Sequence, residues 1–263
     1  MYKDRIAVVD SGVGGLDILK ALVKSFPSES FIFIGDNKNV PYGKKTKEEI
    51  ESYGVAIAKY LEKQEVKLII IACNTLSLNA IDKMRESVKT PIYGIARPTV
   101  KRLLNHDKKS VLVLATLATV KTNRYKAFLN ELDPSVEVYQ QAAISLVDKI
   151  EANQLDDIDE DIKEYIEPYY NKIDSIILGC THYPIIRERF ERLYPDLLFV
   201  DSRNLMVQLT KEKLEQHNIE ASKDNKQKIT IQATGSIKNL EQASAHFFDF
   251  EGIELIERSV ENE

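Results

Sequence analysis

KLIIIACNT at residues 67–75 and DSIILGCTH at 174–182 share one pattern: an unbroken apolar run, then a cysteine, then hydrogen-bonding side chains. Such a run, closed by polar residues, reads as a strand buried on both faces, the kind found in a parallel sheet covered by helices. A second correspondence lies upstream of each. IAVVDSGVGG (6–15) and VLVLATLATV (111–120) align so that Ser11 matches Thr116, at nearly the offset that relates Cys73 to Cys180. Two pairs of strand ends at one spacing imply a duplicated α/β unit with a cysteine at the carboxyl end of one strand in each copy. Open α/β sheets bind ligands outside those carboxyl ends, so two facing units would bring both thiols to one cleft.

The rest of the chain alternates in the same way. Strands are expected at 5–10, 30–36, 67–73, 91–96, 110–116, 136–142, 175–180, 197–202, 228–235 and 253–258. Between them, stretches such as LDILKALVKSF, EEIESYGVAIAKYLEK and EDIKEYIEPYYNK place apolar residues at three- and four-residue spacing, as helical crossovers do. The class is therefore α/β with mainly parallel sheets. The acidic run DDIDEDIKE (156–164) reads as a helix start and EASKDNKQK (220–228) as a solvated loop.

Composition narrows the function. Of 263 residues, 43% are hydrophobic, enough for a sizeable core, and 36 basic against 41 acidic side chains leave a net charge of −5. That balance excludes a generally basic nucleic-acid binder. No apolar run approaches the ~18 residues of a membrane span, and MYKDRIAVVDSG meets a strand at once, so neither a span nor a signal peptide is expected. Two cysteines make no disulfide framework and no CxxC metal knuckle. A soluble cytoplasmic enzyme is the expectation.

Cys73 and Cys180 are the leading chemical candidates. Each ends a strand and opens a helix-competent segment, with Pro184 suited to a first helical position. A thiol at a helix N-terminus is expected to have a lowered pKa. DSGVGGL (10–16) reads as strand, glycine turn and helix, whose N–H groups would receive a phosphate or carboxylate. It fails the G-x-G-x-x-G dinucleotide pattern, although Asp36 stands roughly where a ribose-binding acid would. Asp10 would repel a pyrophosphate, and Asp10–Ser11 better suits a free α-amino group. GDNKNVPYG (35–43) offers Pro41-Tyr42-Gly43 as a turn with backbone donors. Of four histidines, only His182 stands beside a cysteine, where it could relay protons; His106, His217 and His246 read as surface or helix positions. A Cys–His hydrolase would leave Cys73 without a task. Two acid/base groups on opposite faces of one carbon are what stereoinversion by proton removal and return requires.

VVDSGVGGL, GDNKNVPYG, ACNTLS and LGCTHYP, in that order, resemble the cofactor-independent glutamate racemases within the aspartate/glutamate racemase superfamily. The likeness continues through KTNRYKAFL to ITIQATGSIKNLEQASAHF and so covers essentially the whole chain. It implies two α/β domains related by a pseudo-two-fold axis, residues 1–97 completed by 210–263 and residues 98–209, with the active site between them. It also implies interconversion of L- and D-glutamate for peptidoglycan without pyridoxal phosphate or metal. By this likeness Cys73 takes the proton from D-glutamate and Cys180 from L-glutamate, with Asp10 and His182 assisting the thiols. Asp10–Ser11, Tyr42–Gly43, Asn74–Thr75 and Thr181–His182 match the substrate-binding pairs, and Thr116 and Thr119 are further contacts. Glu151 in SLVDKIEAN matches a glutamate near the thiols, although Ala143-Ile144 replaces the usual cysteine–proline. Arg97 in GIARP stands where relatives carry glutamate, near the crossing between domains. No long extension precedes the first strand, so the precursor regulation that accompanies one is not expected. A homodimer is expected, without direct nucleic-acid binding. The alternatives are aspartate racemisation and a non-catalytic binding role.

Overall fold

The structure, a computed structural model, describes residues 4–260; the outer residues of the expected first domain, 1–3 and 261–263, lie outside that range. In the first half, β1 (Ile6–Asp10), α1 (Leu16–Ser25), β2 (Phe31–Gly35), α2 (Lys47–Lys63), β3 (Leu68–Ile71), α3 (Asn74–Ser87), β4 (Ile92–Gly94) and α4 (Ala96–Leu104) alternate regularly. There follow β5 (Ser110–Ala115), α5 (Leu117–Lys121), α6 (Arg124–Leu132), β6 (Glu137–Ala142), α7 (Ile144–Glu151) and α8 (Ile158–Ile166). The chain ends with β7 (Ser175–Gly179), α9 (Arg187–Leu193), β8 (Leu198–Val200), α10 (Arg203–His217), β9 (Ile229–Ala233), α11 (Ile237–Ser244) and β10 (Glu254–Glu257).

These strands form two sheets, ordered β10-β9-β2-β1-β3-β4 and β6-β5-β7-β8, and every strand pairing is parallel. The duplication shows directly in that order. Strands β2-β1-β3-β4 of one sheet correspond to β6-β5-β7-β8 of the other, while β9 and β10 lengthen the first. Strands β1, β2, β3 and β7 are buried along their whole length, as unbroken apolar strands must be when helices cover both faces. Equivalent positions in the two sheets therefore carry the cysteines: Cys73 follows β3 and Cys180 follows β7.

Local signals set several helix starts. Thr46 and Glu49 form a reciprocal capping box at α2, and Asp159, Glu160 and Asp161 sit in the first turn of α8, favourable to its dipole. Two expectations change. Cys180 is followed by a short 3-10 turn, Tyr183–Ile186, with Pro184 in its first turn, before α9 begins. The DSGVGG turn contains no positive φ, which among the described glycines occurs at Gly252 alone. Its glycines serve close approach: a Cβ on Gly14 would lie 2.5 Å from Thr181 Oγ1. Arg97, at the start of α4, forks onto Glu131 of α6 at 3.2 and 2.8 Å and stacks over Phe128, away from the thiols.

Candidate active site

The carboxyl ends of both sheets wall a cavity of about 140 Å³. Cys73 and Cys180 both line it, with Ser11, Tyr42, Gly43, Asn74, Thr75, Glu151, Thr181 and His182. Ten of the residues singled out from sequence thus meet at one place. Thr116 lines it as well, while Thr119 sits behind the wall, its hydroxyl 3.1 Å from that of Thr75.

Cys73 is the N-cap of α3. Its Sγ accepts a hydrogen bond from Leu76 N at 3.4 Å and lies 3.4 Å from Ser11 Oγ. The helix terminus does not lower its pKa as expected. Burial, reinforced by the carboxylate of Asp10, pushes the thiol up to about 12, so in this enclosed state Cys73 holds its proton. Cys180 Sγ lies 3.6 Å from His182 Nδ1, and His182 Nε2 lies 2.8 Å from Glu151 Oε1. Burial pulls the imidazole down, but its bonds to Cys180 and Glu151 win and hold its pKa well above the ordinary 6.5. Burial raises Glu151, yet His182 overrides that and leaves the carboxyl low. The two thiols therefore sit in different surroundings: Cys73 is beside the carboxyl of Asp10, whereas Cys180 is beside an imidazole whose pKa is held above its ordinary value.

Asp10 is placed differently from the sequence expectation. It is fully buried and does not line the cavity. Gly12 N donates to its Oδ1 at 2.9 Å and Thr181 Oγ1 to its Oδ2 at 3.2 Å; burial raises its pKa while His182 and the N–H groups of Gly12 and Gly15 oppose that. The N–H of Gly12 in the glycine loop is taken up by Asp10 itself. Asp36 likewise offers no ribose contact: it accepts from Tyr42 Oη at 2.5 Å, from Asn39 Nδ2 on both carboxylate oxygens at 3.1 Å, and from Thr234. It anchors the loop that carries Tyr42 and Gly43.

Contacts between the two units close the site from several sides. The Thr75 and Thr116 hydroxyls are 2.9 Å apart and Tyr125 donates to Asn74 Oδ1. A Cβ on Gly12 would come within 3.2 Å of Glu151 Oε1, and one on Gly43 within 3.0 Å of Thr116 Cβ. With the side chains of Asn74 and Thr75 committed to the opposite unit, what they offer the cavity is the open N-terminus of α3, whose first N–H groups have no intrahelical acceptor. Among the described residues no group of three or more His, Cys, Asp or Glu is placed to hold a metal ion, and no helix is long and apolar enough to cross a membrane.

Sequence reading missed Lys44, Ile144, Val147 and Asp148, which also line the cavity. The signal was present. Residues 144, 147 and 148 precede Glu151 by seven, four and three positions and so share its face of α7. Tyr125 gave no such clue, because its partner Asn74 lies on another unit.

A fold of two facing parallel sheets with paired strand-end cysteines is the arrangement of an amino-acid racemase. The family described as Asp/Glu/hydantoin racemase matches residues 6–210, and the chain belongs to it. More particularly, the chain is 36% identical over 249 residues to the glutamate racemase of Sulfurihydrogenibium sp., spanning 93% of this chain and 90% of that one. Among solved structures, the glutamate racemase of Francisella tularensis in complex with D-glutamate matches with a TM-score of 0.92 at 29% identity, covering 100% of both chains. Glutamate racemase isoform RacE1 of Bacillus anthracis matches at 0.89 and 27%, covering 100% of this chain and 99% of that one.

Proposed function

We propose that this protein interconverts L- and D-glutamate by two-base proton transfer at Cα, supplying D-glutamate for peptidoglycan. The observation that carries the reading is the convergence of Cys73 and Cys180, from equivalent strand ends, on one small cavity. With L-glutamate bound, Cys180 as thiolate takes the α-proton while the Cys73 thiol delivers its own to the opposite face. The product is D-glutamate, and the two sulfurs have exchanged protonation states; the reverse reaction begins from that exchanged form. His182, held by Glu151, supports Cys180 as counter-ion and proton relay, and Ser11 supports Cys73. Asp10 acts behind the wall, by fixing the glycine loop and Thr181.

An amino-acid α-carbon is far less acidic than a thiol, so charge developing on the α-carboxylate must be stabilised by fixed dipoles in a site shielded from water. The N–H groups of Asn74 and Thr75 at the start of α3 suit that task. Ser11, Tyr42–Gly43 and Thr181–His182 complete the substrate contacts in this reading. No metal or organic cofactor takes part, and dialysis against EDTA is expected to leave turnover unchanged. The same reading carries a cytoplasmic location, a homodimer, and a division of the chain into 1–97 with 210–263 and 98–209. The continuation of the first sheet by β9 and β10 supports that division; light scattering after gel filtration tests the dimer.

Circular dichroism of L-glutamate with the purified protein tests the activity directly. Signal should decay to zero without added cofactor, and in deuterated water each enantiomer should acquire deuterium at Cα as it converts. Cys73→Ser and Cys180→Ser should each abolish most turnover; normal turnover in both would end the two-base reading. Comparison of glutamate with aspartate as substrates decides between the two racemase activities.

A further inference from the structure

Lys44 and Asp148 stand outside the chemistry just described, yet both line the same cavity. Lys44 ends the 3-10 turn Tyr42–Lys44 after β2, on the first unit, and Asp148 lies on α7, on the second. Their Nζ and Oδ2 are 3.2 Å apart, with side chains 57% and 59% exposed. The pair therefore spans the two units at the solvent side of a cavity whose cysteines are nearly inaccessible. Around it the wall is apolar, with Val40, Leu117, Ile144 and Val147, and Lys44 is the one lysine or arginine among the lining residues.

Cys73 and Cys180 are only 4% and 7% exposed, so whatever reaches the thiols passes the narrow gap between the units. On one side of Lys44, Gly43 lies close against Thr116 of the other unit, where an added Cβ would come within 3.0 Å of Thr116 Cβ. A half-exposed ion pair is screened and worth little, so it opens readily. A ligand with a carboxylate can replace Asp148 as the partner of Lys44, so the cation never stands alone during the exchange. We propose that Lys44 and Asp148 form a charge-exchange pair at the cavity mouth: Lys44 releases Asp148 to receive the carboxylate of the incoming amino acid and positions it on the way to the thiols, while Asp148 competes for the same cation. The proposal rests on the reading of the cavity as a glutamate site, and it makes Lys44 a positioning residue with no part in proton transfer.

The test exploits sign. If the pair were only a strap, Lys44→Met and Asp148→Asn would break the same bond and act in the same direction. Charge exchange requires opposite directions. At low salt, K44M should lower kcat/KM for glutamate about three- to tenfold and flatten its dependence on ionic strength, the scale of effect expected from one steering charge. D148N should raise kcat/KM or lower KM, and that gain should vanish when K44M is added. A second readout does not involve glutamate turnover: the ratio of alkylation rates of Cys180 by anionic iodoacetate and neutral iodoacetamide. K44M should depress this ratio and D148N should raise it. Effects of the same sign in the two variants, or ratios within experimental error of the wild type in both, overturn the proposal. A wild-type protein that leaves glutamate unchanged would instead overturn the substrate assignment, and the reagent ratios would still report on the pair.

Discussion

Cys73 is the sharpest place to test the electrostatics of the site. The perturbation is pH and the probe is iodoacetamide, which reacts with thiolate. With the pKa pushed up to about 12 by burial and then by Asp10, the thiolate fraction at pH 8 is about 10⁻⁴, against roughly a quarter for an exposed thiol near 8.5. The rate at Cys73 should therefore lie on the order of 10³ below that of a free thiol, and lower still through restricted access. Access scales the rate at every pH, but the slope belongs to the ionisation: about tenfold per pH unit from 8 to beyond 10, where an exposed thiol has already levelled off. The chain has two cysteines, so peptide mapping after a timed quench assigns each rate without ambiguity, and far-ultraviolet circular dichroism at each pH reports whether the fold is intact. A Cys73 rate that reaches its plateau below about pH 9.5 would refute the argument that an enclosed, carboxylate-flanked thiol keeps its proton in the free protein.

The same raised pKa has a stability counterpart. The fold favours the Cys73 thiol, so this contribution is fully present below the ordinary value of about 9 and is lost as pH climbs toward 12, by about 4 kcal/mol at the limit; urea denaturation at pH 8 and 10.5 should show the loss, and Cys73→Ser should remove it. Gly14→Ala places a methyl within 2.5 Å of Thr181 Oγ1 and 2.9 Å of His182 Nδ1, so overpacking should cost about 1–3 kcal/mol in chemical denaturation and lower kcat/KM strongly. Glu151→Gln cuts the partner of His182. Glu151 is shifted down and His182 up, so their mutual stabilisation is complete above the ordinary Glu value of 4.5 and below the ordinary His value of 6.5. It is lost as pH falls through the lowered Glu pKa or rises through the raised His pKa. The variant should therefore differ most from wild type in thermal unfolding between those values, and its kcat/KM profile should shift to reflect a more acidic imidazole.

Much of this architecture was legible along the chain. All ten strands were expected where they occur: the central ones because a strand buried on both faces needs an uninterrupted apolar run, and the edge strands β6 and β10, which are only partly buried, from shorter apolar stretches between helical segments. The correspondence of Cys73 with Cys180 was visible for the same reason: equivalent strands in a repeated unit obey equivalent local rules. The helix-competent segment after Cys180 opens as a 3-10 turn before α9; helix and 3-10 turn share the same start signals. The glycines of DSGVGG looked like turn residues; Gly12 and Gly14 lie where Glu151, Thr181 and His182 of the other unit come within contact distance, and Gly15 lies against Asp10 and Ala72 of its own.

Sequence alone determined the α/β class, the duplication, and the two thiols with their polar neighbours, all of which depend on periodicity and on adjacency over a few residues. Tertiary structure decided what state those groups are in. Asp10 meets Thr181 across 171 residues of chain and Glu151 meets His182 across 31, and such contacts bury one carboxyl behind the wall and raise the pKa of one imidazole. Protonation depends on desolvation and on charges a few ångströms away, and neither distance nor solvent access is written in the order of residues.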